Sequence, residues 1–588
     1  MKRIITLLLA GAALSVSAQE QSTVPISDFG TKFQNPIVRA DFPDPDVIRV
    51  GDTYYMVSTT MYHFPGATIL KSQDMVNWEY CAHPLKQLSS MEGYELKNKN
   101  NGYACGMWAC SMKYHNGKFH ILINEKLPTD GWQLQGWLLT ATDPEGNWTA
   151  KKLSRSYYDP GMLFDNGKVY VAQGIGNISV CELDENFNFI KEVGVISDKD
   201  GLEGSHFYKR GDYYYIYATY GGYPSGQAVF RSKDPFGPYE EKMVVQKSYN
   251  GKANTIHQGA LIEDVSGQWW TIMQEDLGAM GRFPNLQPVT WTDDGWLKVG
   301  VNGKLLESFV TKHDKPAATG DTSVKRLPTT DVFSEEKIGI QWEWNHNPDN
   351  KAWSLTERPG WLRLKTSATT TTLPQARNML TQRIFADKTK ETKGTVRLDV
   401  SNLAEGDRAG ICIFQDPYAA IAVEKKNGKL QLVWWKAKVK DAGTGFKAKM
   451  ETKEVELPDG IIYLRAGMKY GEDNAKFYYS TDNKTWTAMG EATHQTFNLT
   501  VFVGARFGLF CYASKKAGGY ADFDWFTTEA SFTDLTGISD TRYQPSKAVI
   551  SVHNLSGQQV RLAANAAEAL QGLPSGVYIV DGEKVVVK

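Results

Sequence analysis

Five copies of one β-hairpin pattern occupy the first half of this 588-residue chain and constrain its fold more than any other feature. The clearest copy, from Phe42 to Val57, begins with an acidic, proline-rich turn, continues as a short apolar strand, turns at a Gly-Asp pair and returns as an aromatic strand. Such pairs mark tight hairpins because small residues accept a positive φ. The other four copies turn at similar pairs, which are Asn116-Gly117, Asn166-Gly167, Gly211-Asp212 and Ser266-Gly267.

The spacing of these copies predicts the architecture. They recur about every 45–65 residues, which leaves room for about four strands in each copy. Five units of this size fit a β-propeller better than a sandwich. The sequence therefore predicts an all-β fold that begins with a five-bladed β-propeller.

The residue about eight positions before each turn decides the functional interpretation. In chain order these positions hold Asp44, Trp108, Asp159, Glu203 and His257. Equivalent positions on the innermost strands of a propeller point toward its central axis. Each residue alone has an ordinary explanation, such as a turn aspartate or a core tryptophan. Their shared register within the repeats instead predicts one pocket that contains three carboxylates, a tryptophan and a histidine.

Two of the carboxyl groups suit the hydrolysis of an acetal. On opposite sides of a glycosidic bond, one must be protonated to assist departure and the other ionised to activate water. Asp44 lies between Pro43 and Pro45, so its backbone is stiff, and we assign it the general base. Glu203 lies between Gly201 and Gly204, which leave room for a sugar, and we assign it the general acid.

Five further candidates complete the pocket. Asp159 is the predicted modulator of the acid's pKa, because like charges in one site oppose each other's ionisation. Arg282 is expected either to donate to sugar hydroxyls or to restrain a carboxylate. Trp108, Tyr62 and Phe64 are the predicted substrate contacts.

The first 18 residues have the pattern of a secretory signal peptide. Lys2 and Arg3 precede an apolar run over residues 4–14, and small residues precede Gln19. The apolar run is too short to span a bilayer permanently. We therefore expect an exported protein, first of all a periplasmic one, with the cell surface or the medium as alternatives.

Charge and cysteine content exclude several classes of protein. A formal net charge of −1 argues against a nucleic-acid binder that works by phosphate neutralisation. Six cysteines in a chain of this length do not make a disulfide scaffold, and their spacings do not resemble a zinc site. Cys105 and Cys110 could form a disulfide, although buried free thiols are the favoured alternative.

Composition shifts divide the chain into further parts. The propeller is assigned to residues 19–315, and a polar stretch over 311–330 with little apolar periodicity marks a boundary. Alternating strands with turn signals over residues 328–530 predict a second all-β domain, most simply a sandwich. Residues 536–588 form a short C-terminal β segment, either a sorting signal or a small β domain.

Eight short motifs lie between residues 30 and 310, and they are Asn35-Pro36-Ile37, Phe42-Pro43-Asp44-Pro45-Asp46, Phe64-Pro65-Gly66, Trp108-Ala109, Asp159-Pro160-Gly161, Glu203-Gly204-Ser205-His206, His257-Gln258-Gly259 and Gly281-Arg282. Together they resemble glycoside hydrolase family 43. The resemblance implies a five-bladed propeller and single-displacement hydrolysis with inversion at the anomeric carbon. It implies that Asp44 is the base, Asp159 the pKa modulator and Glu203 the acid. It also implies that His257 faces a metal, commonly calcium, on the propeller axis.

The region from Val332 to Thr527 is similar to the lectin-like sandwich that follows the propeller in xylosidase and arabinofuranosidase members of the family. Such a domain either braces the propeller or walls off its pocket. The tryptophans of this region do not by themselves indicate a sugar platform.

These inferences predict an exo-acting, inverting glycoside hydrolase that releases terminal α-L-arabinofuranosyl groups from plant hemicellulose side chains. A β-D-xylosidase on xylo-oligosaccharides is the close alternative, because both sugars present similar hydroxyls to a shallow pocket. The alternative of another class is a non-catalytic carbohydrate-binding propeller, which the acid at all three equivalent positions disfavours. Expected partners are arabinose- or xylose-containing oligosaccharides, with no nucleic acid, membrane span or organic cofactor.

Overall fold

The structure, a computed structural model, describes residues 25–249, 251–439, 448–528, 550–555, 558–563, 569–574, 576–580 and 583–587. The predicted signal peptide, residues 1–18, lies outside these ranges, as does much of the predicted C-terminal segment. Strands dominate the regular structure, which confirms the all-β prediction. Within the described ranges, no helix is long and apolar enough to cross a membrane.

The first unit begins with β1 (Asp28–Phe29) and β2 (Lys32–Gln34) and continues with five four-stranded antiparallel sheets, each a meander in chain order. Sheet 1 contains β3 (Asp46–Val50), β4 (Thr53–Ser58), β6 (Thr68–Ser72) and β7 (Glu79–Ala82). Sheet 2 contains β8 (Gly106–His115), β9 (Lys118–Lys126), β10 (Leu134–Ala141) and β11 (Thr149–Lys152). Sheet 3 contains β12 (Gly161–Asp165), β13 (Lys168–Gln173), β14 (Ile178–Leu183) and β15 (Phe189–Ile196).

Sheet 4 contains β16 (Leu202–Arg210), β17 (Tyr213–Tyr220), β18 (Gly226–Ser232) and β19 (Glu240–Val245). Sheet 5 contains β22 (Ile256–Glu263), β23 (Trp269–Asp276), β24 (Arg282–Trp291) and β25 (Leu297–Val299). Between these two sheets lies a small hairpin of β20 (Ser248–Tyr249) and β21 (Lys252–Ala253), and a 3₁₀ turn, Gly278–Met280, precedes β24. β2 pairs with β26 (Lys312–Asp314), so the two ends of the unit are tied together.

The first strands of the five sheets form a closed ring. β3 contacts β8, and the contacts continue through β12, β16 and β22 back to β3. Apolar cores fill the spaces between neighbouring sheets, and one of them packs Val47 and Met56 of sheet 1 against Ile262 and Trp270 of sheet 5. This is the packing of a β-propeller. Because all five sheets have the same strand order, the starts of their first strands lie at one end of the central axis.

The predicted hairpins are confirmed. The turn pairs read from the sequence lie between the first and second strands of their sheets. The glycine of each pair adopts a positive φ, from 57° at Gly211 to 89° at Gly267. The turn chemistry therefore follows from the residue types in the pairs.

Two larger sheets form the second unit. The eight strands of one sheet are β5 (His63–Phe64), β27 (Glu343–Asn345), β30 (Leu380–Arg383), β32 (Asp407–Phe414), β33 (Tyr418–Lys426), β34 (Lys429–Ala437), β35 (Lys449–Glu454) and β40 (Arg506–Ala513). The strands of the other are β28 (Trp353–Ser354), β29 (Leu362–Lys365), β31 (Thr392–Asp399), β36 (Ile461–Met468), β37 (Asn474–Ser480), β38 (Thr487–Ala488), β39 (Thr493–His494) and β41 (Tyr520–Thr527). A 3₁₀ turn, Leu373–Gln375, precedes β30.

The two units share contacts. β5 belongs in sequence to the loop between β4 and β6 of sheet 1, yet it pairs with β27 of the second unit. A common apolar core packs residues of sheets 1 and 2 against the second unit, for example Tyr62 with Phe414 and Tyr418. Four tryptophans of the second unit are buried, namely Trp342, Trp344, Trp434 and Trp435. Because they are buried, these tryptophans pack in the core and present no exposed face on which a sugar could bind.

The remaining strands are β42 (Ile550–Asn554), β43 (Gln559–Ala563), β44 (Gly576–Val580) and β45 (Glu583–Val587), which pair as one small sheet. Its described core includes Val552, Ala569 and Val580. All six cysteines of the chain are free and buried, so the favoured alternative for Cys105 and Cys110 is confirmed.

Candidate active site

Each predicted acid lies at the start of a first strand. Asp44 precedes β3, Asp159 precedes β12, and Glu203 is the second residue of β16. Asp44 and Asp159 have φ values of 51° and 47°, which are uncommon for residues that carry a side chain. Such backbone strain persists only where surrounding contacts hold it, and it concentrates at functional sites.

A β-bulge accompanies the predicted residue in three of the first strands. The register shifts around Trp108 in β8, after Glu203 in β16 and after His257 in β22. A bulge bends its strand and changes the direction of a side chain. A β-bulge therefore helps to point each of these three side chains toward the central axis. The hairpin pattern in the sequence does not predict these bulges.

Asp44 is buried and held by two neighbours. Its Oδ1 accepts a hydrogen bond from Arg282 Nη1 at 2.9 Å, and its backbone N–H donates to Gln274 Oε1 at 2.8 Å. Arg282 Nε and Nη2 are also buried, with no hydrogen-bond partner among the described residues. Buried donors are costly to leave unsatisfied. Arg282 thus restrains the carboxylate, one of its two predicted roles, and retains donors suited to a sugar hydroxyl.

Glu203 is half-buried, and its carboxyl is confined. Its Oε2 accepts a hydrogen bond from the Tyr158 hydroxyl at 3.1 Å. A Cβ atom added to Gly221 would lie 2.1 Å from Glu203 Oε1, so a side chain there would displace the carboxyl from this position. Burial and the nearby Asp44 carboxylate raise the pKa of Glu203, while the Tyr158 hydroxyl, His257 and Arg282 oppose the shift. A raised pKa keeps a carboxyl protonated, as a general acid requires.

Asp159 is buried beside the other two acids. Burial, followed by the charges of Glu203 and Asp44, raises its pKa well above the usual range of an aspartate. Its Oδ2 accepts a hydrogen bond from the Gly204 N–H at 3.2 Å, next to the predicted acid. The three carboxyl groups therefore influence one another electrostatically, as the shared register of the repeats predicts.

The second unit supplies one wall of the pocket. The guanidinium carbon of Arg282 lies 5.0 Å from the ring centroid of Phe502 and 6.0 Å from that of Phe497. The Phe502 ring also meets Trp108 edge to face at 5.5 Å. Both phenylalanines lie in the loop before β40, so the second unit has the walling role that was one of its two expected roles.

The floor of the pocket is tied together by Asp46, two residues after the predicted base. Its Oδ2 accepts hydrogen bonds from Ser111 Oγ at 3.0 Å and from the Met112 N–H at 2.7 Å, both in sheet 2. Its Oδ1 lies 3.4 Å from His206 Nδ1 of sheet 4. Burial opposes ionisation, but Lys113 and His206 hold the pKa of Asp46 well below its usual range. One fully buried carboxylate thus connects three first strands beneath Asp44.

His257 is paired with protein groups. Its Nε2 lies 3.2 Å from Asp276 Oδ2, and its Nδ1 lies 3.2 Å from Thr219 Oγ1. Calcium takes about six to eight oxygen ligands. Among the described residues, no group of three or more His, Cys, Asp or Glu side chains could hold a metal ion. The groups around His257 do not by themselves fit calcium, which stays a prediction, and we route no chemical step through a metal.

The predicted substrate contacts have different outcomes. Trp108 is half-buried beside the acids, with its ring 6.3 Å from that of Tyr158. Tyr62 is fully buried and stacks on His63 and His346, with centroids 4.5 and 4.9 Å away. It offers no face to a substrate, so its burial gives Tyr62 a packing role in place of the predicted one. Phe64 is half-buried in β5 and packs against the core of the second unit.

Sequence reasoning missed four residues that contact the acids or the Arg282 guanidinium, and these are Tyr158, Gln274, Phe497 and Phe502. Tyr158 directly precedes Asp159, so the register that identified Asp159 could have included it. Gln274 lies near the end of a second strand, outside the register that the five first strands share. The two phenylalanines come from another unit, and no local pattern connects them to the repeats.

Comparison with known families agrees with this geometry. The profile of Glycosyl hydrolases family 43 matches residues 33–297. The profile of the Beta xylosidase C-terminal Concanavalin A-like domain matches residues 330–529. The two matches correspond to the propeller and to the sandwich.

Known relatives cover most of the chain. A beta-xylosidase of Formosa agariphila is 31% identical over 561 residues, which cover 84% of this chain and 89% of the relative. The non-reducing end alpha-L-arabinofuranosidase BoGH43B of Bacteroides ovatus is 29% identical over 522 residues, covering 84% and 94%. A solved structure of a bifunctional GH43-CE protein of Bacteroides eggerthii matches with a TM-score of 0.75 at 33% identity, over 86% of this chain and only 65% of that longer protein.

Proposed function

The chain belongs to glycoside hydrolase family 43 and is a glycoside hydrolase, and we propose that it is an exo-acting, inverting enzyme that removes terminal α-L-arabinofuranosyl groups from hemicellulose side chains. The observation that carries this proposal is the group of three carboxyl groups at the starts of first strands, at one end of a β-propeller. We also infer that each of the five sheets is one blade, because their first strands contact one another in a closed ring.

The proposed reaction uses the acids in different protonation states. Asp44, held by Arg282, removes a proton from a water molecule that attacks the anomeric carbon. Glu203, protonated because burial raises its pKa, gives its proton to the departing oxygen as the glycosidic bond breaks. Asp159 accepts the N–H of Gly204, which orients the neighbouring acid, and it modulates the protonation of the site because carboxyl groups in one site oppose each other's ionisation.

The walls of the pocket support the proposed exo mode. Phe497 and Phe502 of the sandwich pack over Arg282, which itself contacts the base. These rings therefore wall the pocket beside the base. A chain end, which needs space on one side only, fits this arrangement better.

A β-D-xylosidase is equally supported as a second candidate. The Formosa agariphila relative is named a beta-xylosidase, whereas the Bacteroides ovatus relative is named an arabinofuranosidase. The two relatives have nearly the same identity to this chain, so sequence similarity does not choose between the sugars. Trp108 and the free donors of Arg282 are the contacts that would discriminate between them.

The test is the initial rate on a matched pair of aryl α-L-arabinofuranoside and aryl β-D-xyloside substrates, with wild type and Asp44→Ala compared. We expect wild type to cleave at least one of them, the preferred sugar being the one with the larger kcat/KM. Asp44→Ala should lose about 10²–10⁴-fold in rate. A wild type that binds arabinoxylan fragments but cleaves neither substrate would contradict the proposal and favour a carbohydrate-binding propeller.

We further propose that the protein is exported and that cleavage occurs before Gln19. The support is the residue pattern of positions 1–18. N-terminal sequencing of the protein recovered from the periplasmic, surface and medium fractions of its host tests this. An N-terminus at Met1 in the cytoplasmic fraction would contradict it.

A further inference from the structure

Large apolar side chains are unusually exposed at the rim of the pocket. Trp132, Ile175 and Tyr223 expose 57%, 55% and 76% of their surface. Single exposed apolar residues are ordinary, but a group of them around one concave site marks a binding surface. These three residues are such a group, since they occupy equivalent places in three successive sheets.

Each of the three lies in the loop between the second and third strand of its sheet. Trp132 follows β9, Ile175 follows β13 and Tyr223 follows β17. The antiparallel register places the end of each second strand beside the start of the first strand. The register pairs that show this are Gly106 with Lys126, Gly161 with Ala172, and Leu202 with Tyr220. The three loops therefore border the same mouth as the acids.

Two of these loops contact Glu203 or the residue directly before it. The Tyr223 loop begins at Gly221, whose missing side chain makes room for Glu203 Oε1. The Ile175 loop is fixed by the N–H of Gly176, which donates to the Leu202 carbonyl at 2.8 Å, directly before the acid. The Ile175 and Tyr223 loops thus both contact the segment that carries the proton donor.

Trp132 is connected to Glu203 through Tyr158. Its ring lies 6.0 Å from the Tyr158 ring, and the Tyr158 hydroxyl donates to Glu203. It also meets Trp108 edge to face at 5.2 Å, while Lys126 Nζ lies 5.4 Å from its ring centroid. The indole therefore stands at the edge of the pocket with more than half of its surface free.

The position of the acid identifies what these side chains meet. A general acid protonates the departing oxygen, so the part of the substrate that leaves must lie on the Glu203 side. Saccharide rings have apolar C–H faces that pack on aromatic and aliphatic side chains. We propose that Trp132, Ile175 and Tyr223 form the binding surface for the leaving saccharide chain, and that this surface gives the enzyme its preference for oligosaccharides over small glycosides. The inference rests on the proposed function.

The test compares two substrates that share the cleaved sugar. One is an oligosaccharide whose leaving part has at least three sugar units, and the other is the glycosyl fluoride, whose leaving group is a single atom. For the triple variant Trp132→Ala, Ile175→Ser, Tyr223→Ala, we expect the ratio of kcat/KM on the oligosaccharide to kcat/KM on the fluoride to fall about tenfold or more. The matched control is Ile190→Ser, which removes a 52% exposed side chain from the outer strand of sheet 3 and should leave the ratio unchanged.

The outcomes separate this inference from the function on which it rests. An active wild type with an unchanged ratio in the triple variant would overturn the surface and leave the proposed function standing. An equal fall on both substrates would also overturn it, because the fluoride does not reach the rim. A wild type that is inactive on both substrates would overturn the proposed function and the surface with it.

Discussion

At the scale of single residues, Asp159 is an active-site residue whose burial lowers the stability of the fold. The residue is buried among carboxyl groups with a positive φ, and its pKa lies well above the usual aspartate range. Ionising it in the folded state is therefore unfavourable. Such sites persist in proteins because the chemistry needs them, and replacing them commonly stabilises the fold.

We expect Asp159→Asn to unfold at a higher temperature than wild type and to lose about 10²-fold in kcat. A group with a raised pKa contributes stability below its unfolded-state pKa and loses it as pH rises through the folded-state value. Asparagine does not titrate, so the stability gained by the variant should be larger at alkaline than at acidic pH. Thermal unfolding across pH checks this, and a variant that is less stable than wild type at every pH would contradict it.

Tyr158 permits a test of the acid's pKa. Its hydroxyl donates to Glu203 and stabilises the ionised carboxylate, which lowers the pKa of Glu203. Removing the donor in Tyr158→Phe should raise that pKa, and the alkaline limb of kcat/KM, which marks loss of the acid's proton, should move to higher pH. The measurement is the pH profile of kcat/KM on an oligosaccharide. A shift of the limb to lower pH would show that another group titrates there.

The residues that sequence reasoning located are those whose roles follow from the repeat. Asp44, Asp159 and Glu203 share a register, and the structure puts all three at the starts of first strands. Tyr62 is an aromatic residue of the type that often contacts sugars, but its ring stacks on those of His63 and His346. Burial of that kind depends on the sandwich, since His346 belongs to it, and the repeat contains no information about this neighbour.

At the scale of structural elements, Asp41 joins the sandwich loop to the pocket. The residue is buried, and both of its carboxylate oxygens are occupied. Oδ1 accepts the backbone N–H of Arg282 at 2.8 Å, and Oδ2 accepts that of Gly504 at 2.8 Å. Arg282 holds the base, and Gly504 follows Phe502 by two residues. One side chain thus sets the position of two pocket walls relative to each other.

We expect Asp41→Asn to lower kcat/KM about tenfold, because its amide group would face a backbone N–H and one hydrogen bond would be lost. The matched control is Asp522→Asn, a buried sandwich aspartate outside the pocket whose two carboxylate oxygens accept hydrogen bonds from Arg358 and Arg363. Both variants should lose thermal stability, but only the first should lose kcat/KM. If the two variants have the same kinetics, Asp41 has a structural role only.

Strand pairs and loops were predictable to different degrees. The hairpins are local, and the residue types of their turns determine the backbone geometry, so the sequence identifies them. The loop before β40 reaches the pocket only after the two units have packed together. Its phenylalanines are ordinary apolar residues in the sequence, and only their contact with Arg282 and Trp108 reveals their role.

At the scale of the whole molecule, a buried charge cluster joins the two units. Glu343 of β27 accepts hydrogen bonds from Arg383 Nη1 at 2.7 Å, Arg506 Nη1 at 2.6 Å and Thr68 Oγ1 of sheet 1 at 2.9 Å. Arg383 Nε donates to the backbone carbonyl of Asp41 at 2.7 Å. Burial opposes the charge of Glu343, yet the two guanidinium groups hold its pKa well below the usual range.

We expect Glu343→Ala to reduce the free energy of unfolding by about 3–5 kcal/mol, because it leaves two buried guanidinium groups without their counter-charge. The stability that this carboxylate contributes is present above its unfolded-state pKa and is lost as pH falls, so the difference from wild type should shrink in acid. Urea unfolding checks both points. The control Glu454→Ala removes an exposed partner of Lys429 and should change little. A loss no larger than that of the control would contradict the account.

The all-β propeller was predictable because the same hairpin pattern, with its turn residues, occurs five times along the chain. The joint between the units was not, since Glu343 lies 40 positions from Arg383 and 163 from Arg506, and each alone resembles a surface residue. A buried ion cluster has no local signature, and only the packed structure shows which charges meet.

The central claim is that Glu203 is the proton donor and Asp44 the base, and kcat/KM measured against leaving-group ability tests it most directly. The variants are Glu203→Gln and Asp44→Asn, each assayed on an oligosaccharide and on the 2,4-dinitrophenyl glycoside of the same sugar. Because dinitrophenolate departs without a proton, Glu203→Gln should lose about 10²–10⁴-fold on the oligosaccharide and far less on the activated substrate. Asp44→Asn should lose heavily on both. Equal losses for Glu203→Gln on the two substrates, or an Asp44→Asn variant that keeps its activity, would contradict the assignment.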